Sequence, residues 1–302
     1  MKQINKNAHA AIFLANIIFG LNTVVSKTLM PFYLSSTSLT FIRMMGAFLT
    51  FFIASWFIKK EKIDKKDYIA LALAAIFGVF INQYSYIQGL SKTSPIDAVL
   101  VITILPILTM LLSAAYLKEP ITKLKTLGVL TGALGAIIII FQTNTYSSGE
   151  SSFTGNFLCF ISSLSYAIYI VLFKQLMNKY HPITIMKWMF LYATIICLPF
   201  SYSEVSNINF ATWDIDVLLK ITFVVLGATF FSYLFIPYAV SKLRPTTVSM
   251  YNYVQPLVAS LVAIIIGLDS FNFIKLLAAI FIFIGVFLVT QSKSRIEEEI
   301  AE

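Results

Sequence analysis

Two stretches of this chain carry polar side chains where almost everything around them is apolar. Asn82, Gln83, Tyr84, Tyr86 and Gln88 crowd into one run, and Tyr251, Asn252, Tyr253 and Gln255 stand directly before Pro256 in another. Asn22, Tyr166, Tyr169 and Tyr233 occupy three further runs. Tyrosine and carboxamide groups offer a pocket both π surface and hydrogen-bond partners, so their chemistry is the reversible binding of a polar solute. The plainer reading is interhelical hydrogen bonding or an interfacial belt, which suits Tyr86 and Gln88 near the end of a run. Arg43 lies roughly two turns inside its own run. It either holds helix C-terminal carbonyls, the reading preferred here, or attracts an anionic group of a solute. Lys27 and Lys187, near run ends, reach headgroups by snorkelling. An enzyme would need a nucleophile and base or a metal cluster. No G-x-S-G or G-x-G-D motif occurs, and His9 and His181 stand at the edges of runs. Cys159 and Cys197 sit inside runs, without disulfide or metal spacing. The expectation is a protein that is not an enzyme and uses no cofactor and no metal.

The elements that must position these residues follow from composition. Of 302 residues, 58% are hydrophobic, 15% aromatic and only 12% charged, and the mean hydropathy is +0.84. About a quarter of an ordinary soluble domain is charged. Disorder, a fibre and a cytosolic enzyme are thereby excluded, and an integral membrane protein remains. Apolar runs at about 9–30, 37–58, 68–90, 95–117, 122–141, 155–177, 182–200, 218–240, 245–266 and 271–291 are each long enough to cross a bilayer. Their unbroken apolarity predicts helices rather than barrel strands. The first run, preceded by Lys2 and Lys6, reads as an uncleaved helix rather than a signal peptide.

The charge of +8 marks topology rather than nucleic-acid binding. With an inside N-terminus, the inner segments hold Lys2, Lys6, Lys59, Lys60, Lys62, Lys65, Lys66, Lys118, Lys123, Lys125, Lys174, Lys179, Lys242, Arg244, Lys293 and Arg295. The outer side holds only Lys92, Lys220 and Lys275, and its two longest loops hold no Lys or Arg. Both termini are therefore expected in the cytoplasm, with the protein multi-pass in the cell (inner) membrane.

The chain also repeats. A shift of 150 places Ser91-Lys92 on Ser241-Lys242, Pro95 on Pro245, Pro106 on Pro256, Lys125 on Lys275 and Gly135 on Gly285, with Glu119 on Asp269. A shift of 147 places Phe19-Gly20 on Tyr166-Ala167 and Lys27 on Lys174. Five runs per copy, an odd number, make the second copy inverted, and inverted repeats are typical of secondary transporters. The predicted fold is therefore all-α, with ten transmembrane helices as two inverted five-helix repeats, 1–146 and 147–302.

The stretches Pro106–Gly135 and Pro256–Gly285 carry a resemblance to the drug/metabolite transporter superfamily, in its ten-helix form with two EamA-type domains. Where that family typically has Trp-Gly or Trp-Ala, this chain has Phe19-Gly20 and Tyr166-Ala167, and Asp269 stands for the usual Glu. The resemblance implies a secondary transporter, an exporter or facilitator of small metabolites such as amino acids, working by alternating access. A multidrug/proton antiporter is the alternative; an intramembrane enzyme or a receptor ranks below it. By analogy with the family's cavity-lining helices, the substrate-binding candidates are Asn22, Asn82, Tyr169, Tyr251, Asn252 and Gln255, with Arg43 as a candidate anion contact. Pro106 and Pro256 are candidate helix kinks that free backbone at the site. Gly128, Gly132 and Gly135 line one helix face for close packing, within the bundle of a monomer or between the copies of a homodimer. Glu119 and Asp269 are expected to cap helices. The first helix contains no acid, unlike that of the small multidrug carriers, and Asp97 is placed near an outer helix start. The expected partners are a small-molecule substrate and the lipid bilayer, and the expected driving force is the solute's own gradient.

Overall fold

The computed structural model describes residues 5–93, 95–142, 153–265 and 273–292, and every regular element among them is helical. Helix α1 (Lys6–Leu29) starts where the Asn5 side chain accepts the Ala8 N–H at 3.3 Å, and α2 (Ser36–Ala54) where Ser35 Oγ accepts the Ser38 N–H at 3.1 Å. Such caps satisfy donors that the helix itself cannot. Helix α3 (Lys65–Lys92) widens to a π-helical stretch over Ile76–Ile81. Helix α4 comprises Pro95–Ile102 and Leu105–Leu117, separated by a turn at Thr103 and Ile104. It ends at Lys118, whose left-handed backbone (φ 53°) lets the Lys118 and Glu119 N–H groups return to the Ser113 carbonyl. Helices α5 (Lys123–Gln142) and α6 (Phe153–Leu172) follow. A short helix, Lys174–Lys179, then leads to α7 (Pro182–Ser206), which has proline at its first position. Helix α8 (Ile215–Lys242), capped by Asp214 on the Val217 N–H at 2.9 Å, carries a second π-helical stretch, Phe223–Phe231. Helix α9 comprises Pro245–Met250, a 3-10 turn at Tyr251–Tyr253, and Val254–Ile265; α10 is Phe273–Gln291.

Six of the described helical stretches are long and apolar enough to cross a membrane: Lys6–Leu29, Ser36–Phe57, Lys65–Lys92, Phe153–Leu172, Pro182–Ser206 and Ile215–Lys242. Pro106 and Pro256, expected as mid-helix kinks, stand in the first turn of the segment that follows each interruption. A proline there forfeits no bond, because first-turn N–H groups have no partner in the helix. Asp269 and Ser148 lie outside the described residues, and so does the side chain of Asp97.

Helix pairing follows one rule. Helix α3 packs on α6, α4 on α6, α1 on both α8 and α9, α2 on α7, α2 on the π stretch of α8, α7 on α3, and α5 on α10. Exchanging α1–α5 with α6–α10 turns each of these pairings into another member of the set or into itself. At the α5–α10 contact glycines meet backbone to backbone. A Cβ at Gly285 would lie 2.6 Å from Gly128 O and 2.6 Å from Gly132 N, and one at Gly135 would lie 2.6 Å from Ala278 O. The glycine face of α5 is thus used within the bundle. The opposite faces of this pair show Leu127, Leu130, Leu134, Phe283 and Phe287 to the outside, which costs nothing where the solvent is lipid.

Candidate functional site

A cavity of about 80 Å³ lies where α1, α2, α3, α4, α6, α8 and α9 meet. Its polar wall comes from Asn22, Arg43, Asn82, Gln83, Tyr86, Ser162, Ser163, Tyr166, Tyr233, Asn252 and Gln255; Phe19, Ile102 and Leu105 complete it. The contributing side chains recur at helical spacing: Phe19 and Asn22, Asn82 and Tyr86, Ser162 and Tyr166, Asn252 and Gln255. Each helix therefore offers the cavity one narrow stripe of an otherwise apolar surface.

Most of these groups satisfy one another. Asn82 Nδ2 donates to Ser162 Oγ at 3.0 Å and to Ser162 O at 3.1 Å, while Ser162 Oγ returns a bond to Asn82 O at 2.8 Å. Tyr233 OH donates to Asn82 Oδ1 at 3.1 Å, joining α8 to the α3–α6 pair. Across the cavity, Gln255 Nε2 donates to Asn252 Oδ1 at 2.8 Å and to Asn16 Oδ1 at 2.9 Å, tying α9 to α1. Tyr86 OH and Thr23 Oγ1 share a bond at 2.8 Å, and Asn22 Oδ1 accepts from Ser26 Oγ at 3.1 Å. Two residues differ. Among the described residues Arg43, 3% exposed, bonds only through Nε, which donates to Thr229 Oγ1 at 3.2 Å. Gln83, also 3% exposed, lies near the Tyr233 hydroxyl without hydrogen-bond geometry, and neither its oxygen nor its nitrogen has a partner among the described residues.

Thr229 belongs to the π stretch of α8. Its hydroxyl donates to Val224 O at 2.7 Å, five residues back, and so serves a carbonyl of the widened turn while accepting from Arg43. A π turn placed beside a cavity is common at functional sites.

The structure thus gathers Asn22, Asn82, Asn252, Gln255 and Arg43 around one cavity. Tyr169 lies outside its lining, fully buried, its ring 2.5 Å from where a Cβ of Gly78 would stand. Tyr251 also lies outside, its hydroxyl 2.8 Å from His9 Nδ1 and its ring edge-on to Phe13. Gln83, Tyr166 and Tyr233, noted as polar residues in apolar runs but not among the six substrate-binding candidates, join the lining, as do Ser162 and Ser163, which the sequence reading passed over. So does Tyr86, for which interhelical hydrogen bonding or an interfacial belt was expected and which bonds Thr23 of α1 while bordering the cavity. Gln88 makes the interhelical bond expected of it, to Thr37 Oγ1 at 2.8 Å. The i, i+3 and i, i+4 spacing was the signal available for finding the rest.

Helix C-terminal carbonyls, the partners first expected for Arg43, are held by other cations. Arg244 donates to Val289 O at 2.9 Å, at the end of α10. Lys27 Nζ donates to Leu90 O at 2.7 Å and Thr93 O at 3.2 Å at the end of α3, and Lys174 Nζ to Leu243 O at 3.0 Å at the end of α8. Lys27 therefore caps a helix instead of snorkelling, and its match with Lys174 extends to the carbonyl each one holds. Glu119 forms a buried ion pair with Lys125 at 3.0 Å and accepts from Thr246 Oγ1 at 3.3 Å, tying the α4–α5 connection to the start of α9. A second, wider recess of about 920 Å³ opens between the start of α1, the Met177–Ile183 connection and the end of α8, with His181 and Lys242 on its rim.

Such helices around a polar cavity define a multi-pass membrane protein. The EamA-like transporter family model matches residues 6–141 and again residues 153–291, and the chain belongs to that family. Its relatives include an uncharacterized transporter of Archaeoglobus fulgidus, 25% identical, the match covering 77% of this chain and 81% of that one. They also include the uncharacterized transporter YetK of Bacillus subtilis, 23% identical, over 95% and 88% of the two chains. A solved crystal structure 13% identical in sequence superimposes with a TM-score of 0.74 over 94% of this chain and 97% of the other, a likeness of fold. The protein is thus a membrane transporter.

Proposed function

We propose that the protein carries small organic metabolites such as amino acids across the cell membrane by alternating access, as an exporter or facilitator driven by the solute's own gradient. The observation that carries this reading is the polar cavity enclosed by α1, α2, α3, α4, α6, α8 and α9, deep within apolar helices. Ten crossings in two inverted repeats, 1–146 and 147–302, are supported by the helix pairings that survive exchange of the two halves. They are further supported by the paired π stretches of α3 and α8, the paired interruptions of α4 and α9, and the two separate family matches. The wide recess lies at the end of the bundle rich in Lys and Arg, and supports access from a cytoplasmic side that also holds both termini. The described cavity lining holds one guanidinium and no carboxylate, which favours a zwitterionic or neutral solute over a proton-exchanged lipophilic cation.

The test is flux of labelled amino acids in proteoliposomes, with and without an imposed pH gradient. Saturable, gradient-driven flux is expected, reduced roughly fivefold or more in Asn252→Ala, which loses the Gln255 bond of about 1 kcal/mol. Uphill accumulation that follows the proton gradient would favour the antiporter instead.

A further inference from the structure

Hydrogen-bonding capacity around the central cavity is unevenly spent. The Asn82–Ser162–Tyr233 and Asn16–Gln255–Asn252 groups close on themselves, and Tyr86 is engaged by Thr23. The Tyr166 hydroxyl and Asn22 Nδ2 make no hydrogen bond to the described residues, but the charged and the doubly unpaired capacity falls on two residues from neighbouring helices. Arg43 brings a permanently charged guanidinium whose terminal nitrogens make no hydrogen bond to the described residues, and no carboxylate approaches it among them. Gln83 brings an amide unpaired at both atoms. A buried cation without a counter-charge is among the costliest arrangements in a membrane interior, and an unpaired amide adds to that cost.

We propose that Arg43 and Gln83 form the receptor for a single carboxylate group of the transported solute, so that the substrates are organic carboxylates, free or as part of a zwitterion. This rests on the transporter reading and names the group that the cavity selects. The guanidinium has only donors, arranged in a planar fork that fits a carboxylate with two parallel bonds. The Gln83 NH₂ adds a donor for the same group, and its oxygen is left to accept from an adjacent N–H of the solute. One carboxylate neutralises the cavity; a phosphate dianion would leave it negative, and an amine would meet the guanidinium with like charge. The rings of Phe19, Tyr166 and Tyr233 border the remaining space and take the solute's apolar part.

The experiment measures ligand stabilisation of the purified full-length protein in detergent. The probes are the common amino acids, their carboxamides and the corresponding decarboxylated amines. Stabilisation is expected from one or more carboxylates, with the matched amide and amine at least tenfold weaker. Binding should be lost in Arg43→Gln and weakened in Arg43→Lys. It should fall roughly tenfold in Gln83→Leu, which keeps the charge and so remains informative should Arg43→Gln fail to fold. Binding of an amide or amine as tight as that of its carboxylate would overturn the proposal, as would wild-type affinity in folded Arg43→Gln or the absence of any carboxylate among the binders. Carboxylate binding with no flux of any solute would refute the transporter reading alone. Flux confined to neutral solutes, unaffected by Arg43→Gln, would refute the carboxylate alone.

Discussion

Replacing Gly285 with alanine tests whether α5 and α10 are held at backbone contact. The new Cβ would stand 2.6 Å from Gly128 O, 2.6 Å from Gly132 N and 2.8 Å from Gly132 Cα, all backbone atoms of a neighbouring helix, where ordinary contact begins at 3.4 Å. Rotamer changes cannot relieve this, so the two helices must part locally by about 0.8 Å. A gap of that size forfeits roughly a quarter to a half of each nearby dispersion contact. Overpacking of this kind costs about 1–3 kcal/mol, which corresponds to a loss of roughly 2–10 °C in melting temperature. Gly227→Ala is the control: its Cβ first meets the Phe223 ring at 3.1 Å, a side chain able to turn aside. Melting of the detergent-purified variants, followed by tryptophan fluorescence alongside size-exclusion elution, reads both. Gly285→Ala is expected to melt clearly lower at unchanged elution volume, and Gly227→Ala within about 3 °C of the parent protein. Equal melting of Gly285→Ala and the parent would refute the backbone-contact argument. A change of oligomeric state would assign the glycine face to a contact between copies.

Two further outcomes follow from the cations. Lys27→Met and Lys174→Met each leave the carbonyls of a helix end without their charged donor, at a cost of about 1–2 kcal/mol; both should melt several degrees lower, while Lys187→Met stays near the parent value. A reporter active only in the cytoplasm should work when fused after Lys62, Lys123, Lys179 or Arg244 and stay silent after Ser148 or Ser206; activity at Ser148 would break the five-plus-five topology.

The apolar runs made the helices legible because in lipid the backbone has no alternative to satisfying itself. What the runs hid is where the helices depart from α geometry. Ile76–Ile81 and Phe223–Phe231 are as apolar as their flanks, and the widening at Phe223–Phe231 shows in bonds that reach five residues back, from the Ser232 N–H and hydroxyl to Gly227 O and from the Thr229 hydroxyl to Val224 O. The prolines drew attention to the right places in α4 and α9. Yet the helices restart one and two residues earlier, at Leu105 and Val254, so each proline stands in a first turn where its missing N–H has no helical partner to lose. The use of Gly128, Gly132 and Gly135 within the bundle could not be read from one helix, because that depends on what faces them.

The cavity was half legible for a related reason. A polar residue in an apolar run announces that it needs a partner, but not whether the chain already supplies one. Tyr251 and Asn252 are adjacent and equally polar, yet one is spent on His9 while the other turns to Gln255 at the cavity wall. Gln83 and Asn82 are adjacent too: Asn82 makes four hydrogen bonds with α6 and α8, and the Gln83 side chain makes none to the described residues. Arg43 was expected to hold helix ends, a task the fold gives to Lys27, Lys174 and Arg244 because they lie near those ends and Arg43 does not. Once the satisfied pairs are set aside, the costliest groups left among the described cavity residues are one cation and one amide unpaired at both atoms. A membrane interior makes that remainder costly, and a single anionic group entering the cavity relieves both parts of it.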